Sequence, residues 1–214
     1  MNIRTVTFGD EGQVATRELL KRHEERVPAE LAGYLRTFDA IDRRHGGSGA
    51  LALEDAGDLA DAAIVEAARL PGEDDLVFGI ALWAVRHEVA LRAIEPVANA
   101  LARRSNEAAS PQALAAVFGL MQGLIAHAAP ALSADLERSN PERPWRILHA
   151  NLAITAIRSE DPALMAFAFD ALERALPGEC AGFFAEAMAL ALAPRIAPAV
   201  HDAISERHRR WTQG

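Results

Sequence analysis

The chain has 214 residues, of which half are hydrophobic and only 6% aromatic, and its formal net charge is −8. This acidic balance weighs against a general nucleic-acid binder, because neutralising phosphate groups requires clustered lysine and arginine. A single cysteine, Cys180, excludes an intrachain disulfide and suits a reducing compartment. Since Met1 to Asp10 holds no apolar stretch long enough for a signal peptide, we expect a cytoplasmic protein.

Composition predicts an all-α fold. Alanine is the commonest residue, and it is both the strongest helix former and small enough to let helices approach closely. The β-branched and aromatic residues that favour strands are scarce. Residues 3–8 are the one stretch with β character, and they have no obvious pairing partner. We therefore expect a short extended N-terminal arm ahead of the helices.

The first two predicted helices cover about 13–26 and 28–44. The second has a clear amphipathic stripe at three- and four-residue intervals, formed by Leu31, Tyr34, Leu35, Phe38 and Ile41. A glycine-rich segment, 46–49, follows it and is the best candidate for a boundary. We predict an arm and helical hairpin in residues 1–45 and a main helical domain in residues 50–214, which together form one compact unit.

Breaks in the rest of the chain recur about every 35 residues, at Pro71-Gly72, 106–111, 140–144 and Pro177-Gly178. Such a period is typical of stacked helical hairpins. However, two helices with short loops give the same spacing by default. The sequence therefore leaves two architectures open, a short α-α superhelix built from repeats and a multi-helix bundle.

Two apolar segments, 76–85 and 113–132, are expected to be buried helices. The first is too short to span a membrane. The second is rich in alanine and glycine, which carry little transfer energy, and it contains the helix-contact spacing Gly119-x-x-x-Gly123. Both patterns favour the core of a soluble protein.

No catalytic or cofactor motif occurs in the sequence. The zincin motif His-Glu-x-x-His fails at His87-Glu88, because Leu91 stands where the second histidine belongs. No histidine has a glutamate three residues before it, as the di-iron bundles require. We expect Cys180 to be a buried or half-buried structural cysteine and not a nucleophile, since no histidine is near it in sequence. These observations predict no metal site and no cofactor, and they favour a non-enzymatic protein.

Polar residues embedded in strongly apolar helices are the candidate ligand-binding residues. They are Trp145, Arg146, His149, Asn151, His127, Glu186, Arg86 and His87. Burying such side chains unpaired costs several kcal/mol, so they must find partners. Either they hydrogen-bond to one another and hold the helices in register, or they line a shared pocket in which His149, His127 and Glu186 converge.

Two functions follow from these alternatives. The first is a non-enzymatic interaction or scaffold module that recognises a protein or peptide, with a basic partner favoured by the acidic charge. The second is a small-molecule- or metal-binding protein, or an enzyme, with a polar pocket around Trp145 and His149. In either case we expect a homodimer, the commonest assembly of soluble homo-oligomers. We expect no membrane contact, and we expect the basic C-terminal residues 207–211 to complement a helix dipole instead of binding nucleic acid.

Overall fold

The computed structural model describes residues 10–47, 49–51, 55–127, 144–191 and 197–212. It confirms the all-α prediction, since the structure is 83% helical and these residues form no β-strand. The predicted arm at residues 3–8 lies outside the described residues. The helices within the described ranges are α1 (Asp10–Glu24), α2 (Ala29–His45), α3 (Ala56–Ala68), α4 (Asp74–Arg86), α5 (Ile94–Glu107), α6 (Pro111–His127), α7 (Pro144–Ser159), α8 (Pro162–Ala175), α9 (Cys180–Ala191) and α10 (Pro198–Thr212).

Several helices that follow one another in the chain pack side by side. Helix α1 contacts α2, α2 contacts α3, and α3 contacts α4. The later pairs α7 with α8 and α9 with α10 do the same, while α1 also packs on α4 and α8 on α10. These contacts fit helical hairpins or a bundle. The choice between a superhelix and a bundle stays a prediction.

The chain forms two compact units. The first unit comprises residues 1–103 and 119–136, and the second comprises residues 104–118 and 137–214. Helices α5 and α6 therefore contribute residues to both units. The predicted division at the glycine-rich segment 46–49 stays a prediction.

Helices α2 and α4 supply the centre of the first unit. Phe38 and Trp83 are fully buried, and their ring centroids lie 4.3 Å apart. The predicted stripe of α2 is buried at Leu31, Leu35 and Phe38 and half-buried at its other two positions. Because α4 is buried along almost its whole length, the apolar segment 76–85 is a core helix, as expected.

The core of the second unit lies between α8, α9 and α10. The rings of Phe169 and Phe184 meet edge to face at 5.1 Å. Aspartate followed by proline favours a helix start, and helix α8 begins there, with Asp161 accepting hydrogen bonds from the backbone N–H groups of Ala163 and Leu164 and Pro162 in its first turn.

The basic residues at the end of α10 join this helix to α8. Arg207 forms ion pairs with Asp170 and Glu173, both at 2.8 Å. The indole N–H of Trp211 donates to Glu173 at 2.9 Å, and Arg210 also pairs with this carboxylate. The C-terminal cluster thus pairs with acidic side chains of a neighbouring helix, and Arg209 and Arg210 also lie in the last turn of α10, where basic residues complement the helix dipole.

None of the helices within the described residues is both long enough and apolar enough to span a membrane. Helix α6 holds the described part of the apolar segment 113–132. Its glycine Gly123 lies against α4 in the first unit, where an added Cβ would come within 2.7 Å of Cγ1 of Val85. A helix-contact glycine is therefore present where the sequence spacing places it.

The close approach at Gly123 predicts that the Gly123→Ala variant is less stable by about 1 kcal/mol. The Cβ clash with a stiff, β-branched valine costs about 1–3 kcal/mol, which exceeds the gain of about 1 kcal/mol in helix propensity. Denaturant unfolding measures the difference. In a Val85→Ala background the same change should raise stability instead.

Gly182 provides the control, because an added Cβ there meets nothing within 4 Å. Gly182→Ala should therefore gain up to about 1 kcal/mol in an otherwise unchanged chain. Equal gains at Gly123 and Gly182 would contradict the close packing of α6 on Val85.

Candidate functional site

Predicted site residues lie in a buried polar cluster in the first unit, in an apolar groove in the second, and in a Trp145–His149 pair on α7. The cluster, here called the Asp42 cluster, consists of Asp42, Trp83, Arg86 and His87. Its side chains are at most a few per cent exposed. It contains Arg86 and His87, which the sequence singled out, and joins them to an aspartate of α2 that the sequence did not.

The carboxylate of Asp42 accepts three hydrogen bonds. Trp83 Nε1 donates to Oδ1 at 2.9 Å, and His87 Nε2 donates to the same oxygen at 2.7 Å. Arg86 Nη2 donates to Oδ2 at 3.1 Å. Burial by itself raises the pKa of Asp42, but the hydrogen bond from His87 and the charge and hydrogen bond of Arg86 together hold this pKa below its usual value. The group is therefore a paired carboxylate at neutral pH.

The same cluster fixes the glycine-rich segment to the end of α4. Arg86 Nη1 donates to the carbonyl of Gly47, and the N–H of Gly49 donates to the carbonyl of Arg86 at 2.9 Å. Both glycines have positive φ, +81° and +99°, a backbone conformation that glycine adopts without strain. Since no member of the cluster is open to solvent, its geometry supports the structural alternative for Arg86 and His87.

A sequence signal for Asp42 existed. It lies four residues after Phe38, at the next position of the apolar stripe on α2. An acid on a buried stripe requires a buried partner. Only the fold shows that this partner is the end of α4.

Trp145 and His149 contact each other on α7. Their ring centroids lie 4.3 Å apart, and His149 Nδ1 donates to the carbonyl of Trp145 at 2.9 Å. His149 is only 2% exposed. Burial, with a contribution from the nearby Arg174, lowers the pKa of His149 despite the opposing effect of the hydrogen bond. The imidazole is therefore neutral at neutral pH, with its Nδ1 proton engaged.

The remaining candidates are distributed differently. Arg146 and Glu186 both line the groove described below, whereas Asn151 is half-buried on α7. His127 ends α6, and its side chain lies outside the described residues. The predicted convergence of His149, His127 and Glu186 therefore stays a prediction. Within the described ranges, no group of three or more histidine, cysteine or acidic side chains is arranged to hold a metal.

Cys180 does not have the environment of a nucleophile. The side chain is fully buried, and its thiol donates to the carbonyl of Leu176 at 3.3 Å. Burial, together with the negative charges of Glu173 and Glu179, raises the pKa of Cys180 to about 11. The sulfur is thus a protonated thiol at neutral pH, which agrees with the structural role expected from the sequence.

The second unit contains a groove with a volume of about 540 Å³. One stripe of α7 and one stripe of α9 form its walls, and residues from α8 and α10 complete it. We call it the α7–α9 groove. Its lining residues are Arg146, Ala150, Ile154, Ile157, Arg158, Leu172, Leu176, Glu179, Gly182, Phe183, Glu186, Ala187, Leu190, Ala191, Val200 and Ile204.

Large apolar side chains of the groove are open to solvent. Leu190 is 74% exposed and Ile154 is 42% exposed. Outside the groove, the other comparably exposed large apolar residue among the described positions is Val65, at 40%. The sequence selected Arg146 and Glu186 of this site but missed its apolar lining. The available signal was that α7 and α9 carry apolar residues on more than one face.

The charged residues of the groove differ in their partners. Arg146 Nε donates to Glu179 at 3.0 Å. Arg158 donates to backbone carbonyls at the end of α5 and just beyond it, including that of Ser105. Glu186 is exposed and makes no ion pair with any described residue. The two arginines are thus engaged within the protein, while one carboxylate remains open on the α9 wall.

The Asp42 cluster predicts a large loss of stability in the Asp42→Asn variant, about 3–5 kcal/mol, because Arg86 would be left buried without its counter-charge. Denaturant unfolding at neutral pH measures it. Asp74→Asn is the matched control, since Asp74 pairs with Arg103 at the surface and such pairs contribute less than about 1 kcal/mol.

The pH dependence of this loss follows from the lowered pKa of Asp42. Its stabilising contribution is fully present above the unfolded-state pKa of about 3.9 and is lost as the pH falls through the folded-state value. The difference between wild type and Asp42→Asn should be constant from about pH 7 to 5 and shrink below about pH 4. A difference that persists unchanged in acid would show that the pKa of Asp42 is not lowered in the folded protein.

Comparison of the chain with protein-family models, with curated proteins and with solved structures found no match. What the chain does must therefore be inferred from the geometry and chemistry of its own residues.

Proposed function

We propose that this chain is a non-enzymatic protein-interaction module that binds a segment of a partner protein in the α7–α9 groove. The observation that carries the proposal is an apolar groove whose large side chains, Leu190 and Ile154, are exposed. Contiguous exposed apolar surface marks interaction sites in soluble proteins. A cytoplasmic location belongs to the same proposal, since the single buried thiol suits a reducing compartment.

The two faces of α7 support an interface. One face packs in the interior through Leu148, Leu152 and Ala156. The other presents Ala150, Ile154 and Ile157 to the groove. A helix that is apolar on opposite sides belongs in an interior, and a bound segment would complete that interior.

The chemistry of the groove favours a peptide over a substrate. Small-molecule sites combine an apolar cavity with convergent polar groups that orient the ligand, whereas Arg146 and Arg158 are already engaged in contacts of their own. The reactive side chains Cys180 and His149 are buried. Two walls made of helix stripes instead fit the helix-in-groove mode of recognition.

The proposal can be tested with a displayed library of random peptides, about 16 residues long, from which peptides that bind the purified chain are selected. Enriched peptides should share apolar residues at helical spacing, and Ile154→Gln should weaken their binding about tenfold or more, as expected for a central interface residue. Val65→Gln is the matched control, because Val65 is equally exposed but lies outside the groove. It should leave affinity within about twofold.

Two results would contradict a groove-based interaction. The selection could enrich no common sequence, or the enriched peptides could bind Ile154→Gln and Leu190→Gln as tightly as wild type. A polar side chain at either position removes apolar contact area from the groove.

A further inference from the structure

We infer that the α7–α9 groove is built for an amphipathic helix that carries a basic residue opposite Glu186. The inference rests on the proposed function and adds to it the conformation and the charge of the bound segment. Three features of the groove lead to it: its length, the sizes of its lining side chains, and the placement of its one open carboxylate.

The length of the groove suits a helix of about three turns. Its α7 wall runs from Arg146 to Arg158, which corresponds to about 18 Å at the rise of an α-helix. A bound helix of about 12–14 residues covers the same distance. An extended peptide would span it with about half as many residues and would leave its backbone N–H and C=O groups unpaired, because the walls are helices and offer no strand edge.

The side-chain sizes along the groove suit close helix packing. Small residues, Ala150, Gly182 and Ala187, line it beside large ones, Ile154 and Leu190. Small positions let a second helix approach, and large neighbours interdigitate with its apolar side chains. The bound helix should therefore present apolar residues spaced three and four apart.

The open carboxylate sets the preferred charge of the partner. Glu186 lies within the α9 stripe, between Phe183 and Leu190, so a helix seated in the groove passes beside it. The two arginines of the lining are held by Glu179 and by backbone carbonyls. A lysine or arginine on the flank of the bound helix can pair with Glu186, whereas an acidic residue there is repelled.

These charges also favour a different protein over a second copy of this chain. The exposed apolar faces that a second copy could offer at this surface are those of α7 and α9 themselves. Pairing two copies through α9 would bring two Glu186 carboxylates to one interface, and like charges at an interface are unfavourable. A basic amphipathic helix satisfies the apolar walls and the carboxylate together.

Two labelled peptides of about 14 residues test the inference by fluorescence anisotropy. Both have leucines at helical spacing, and they differ at one flanking position, which is lysine in one and glutamate in the other. Scanning the flanking position along the peptide places the charge opposite Glu186. Wild type should bind the best lysine peptide more tightly than its glutamate counterpart, by up to about fivefold, the upper limit for one exposed ion pair.

The Glu186→Lys variant should invert this preference. Glu107→Lys is the matched control, since Glu107 is an exposed glutamate that does not line the groove, and it should preserve the wild-type preference. Both variants alter exposed positions, and circular dichroism at the temperature of measurement verifies that each is folded.

The alternative results separate the charge inference from the function it rests on. If both peptides bind equally and Ile154→Gln weakens both, the interaction function stands and the role of Glu186 is overturned. If neither peptide binds, while sedimentation shows a dimer that Ile154→Gln dissociates, the groove is a contact between copies and the inferred partner is wrong. If neither peptide binds and the chain is monomeric, the proposed function fails with the inference.

Discussion

The fully buried carboxylate of Asp42 is the constraint on which the first unit depends. A charge out of water is tolerated only when counter-charge and hydrogen bonds surround it, and here an indole, an imidazole and a guanidinium supply them. Trp83 and Arg86 lie in the C-terminal part of α4 and His87 directly follows it, so the contact fixes the end of α4 against α2. The backbone of the segment between α2 and α3 is held by the same arginine. One acidic side chain thereby links two helices and the glycine-rich connection that follows α2.

The second unit is held together in a different way. Its aromatic core and the ion pairs of α10 with α8 are satisfied internally. Helices α7 and α9, by contrast, have apolar residues beyond those that their own neighbours cover. Whereas each side chain of the Asp42 cluster is buried and makes a hydrogen bond within the protein, the α7–α9 groove leaves apolar surface and one carboxylate open. This contrast is why the groove, and not the buried cluster, is the basis of the proposed function.

The candidate site was only partly predictable. Arg146 and Glu186 were selected because they interrupt apolar helices, and both line the groove. Arg86 and His87 were selected for the same reason and belong to a structural cluster instead. A polar residue within an apolar run of the sequence needs a hydrogen-bond or ion-pair partner if it is buried. The sequence does not show whether that partner lies within the same fold or in another molecule. The apolar lining itself, Ile154 and Leu190 above all, resembles ordinary core residues in the sequence.

The sequence by itself determined the helical class, the positions of most helix breaks and the start of α8, because helix propensity, proline and N-capping act over a few neighbouring residues. Only the tertiary structure decided which polar groups meet. Asp42 and His87 are 45 positions apart, and no periodicity links positions so distant. The same holds for the groove, since exposure of an apolar side chain depends on whether another helix covers it. Interactions between neighbouring residues therefore fix where the helices form. Packing between distant residues decides which surfaces are buried and which remain exposed to a partner.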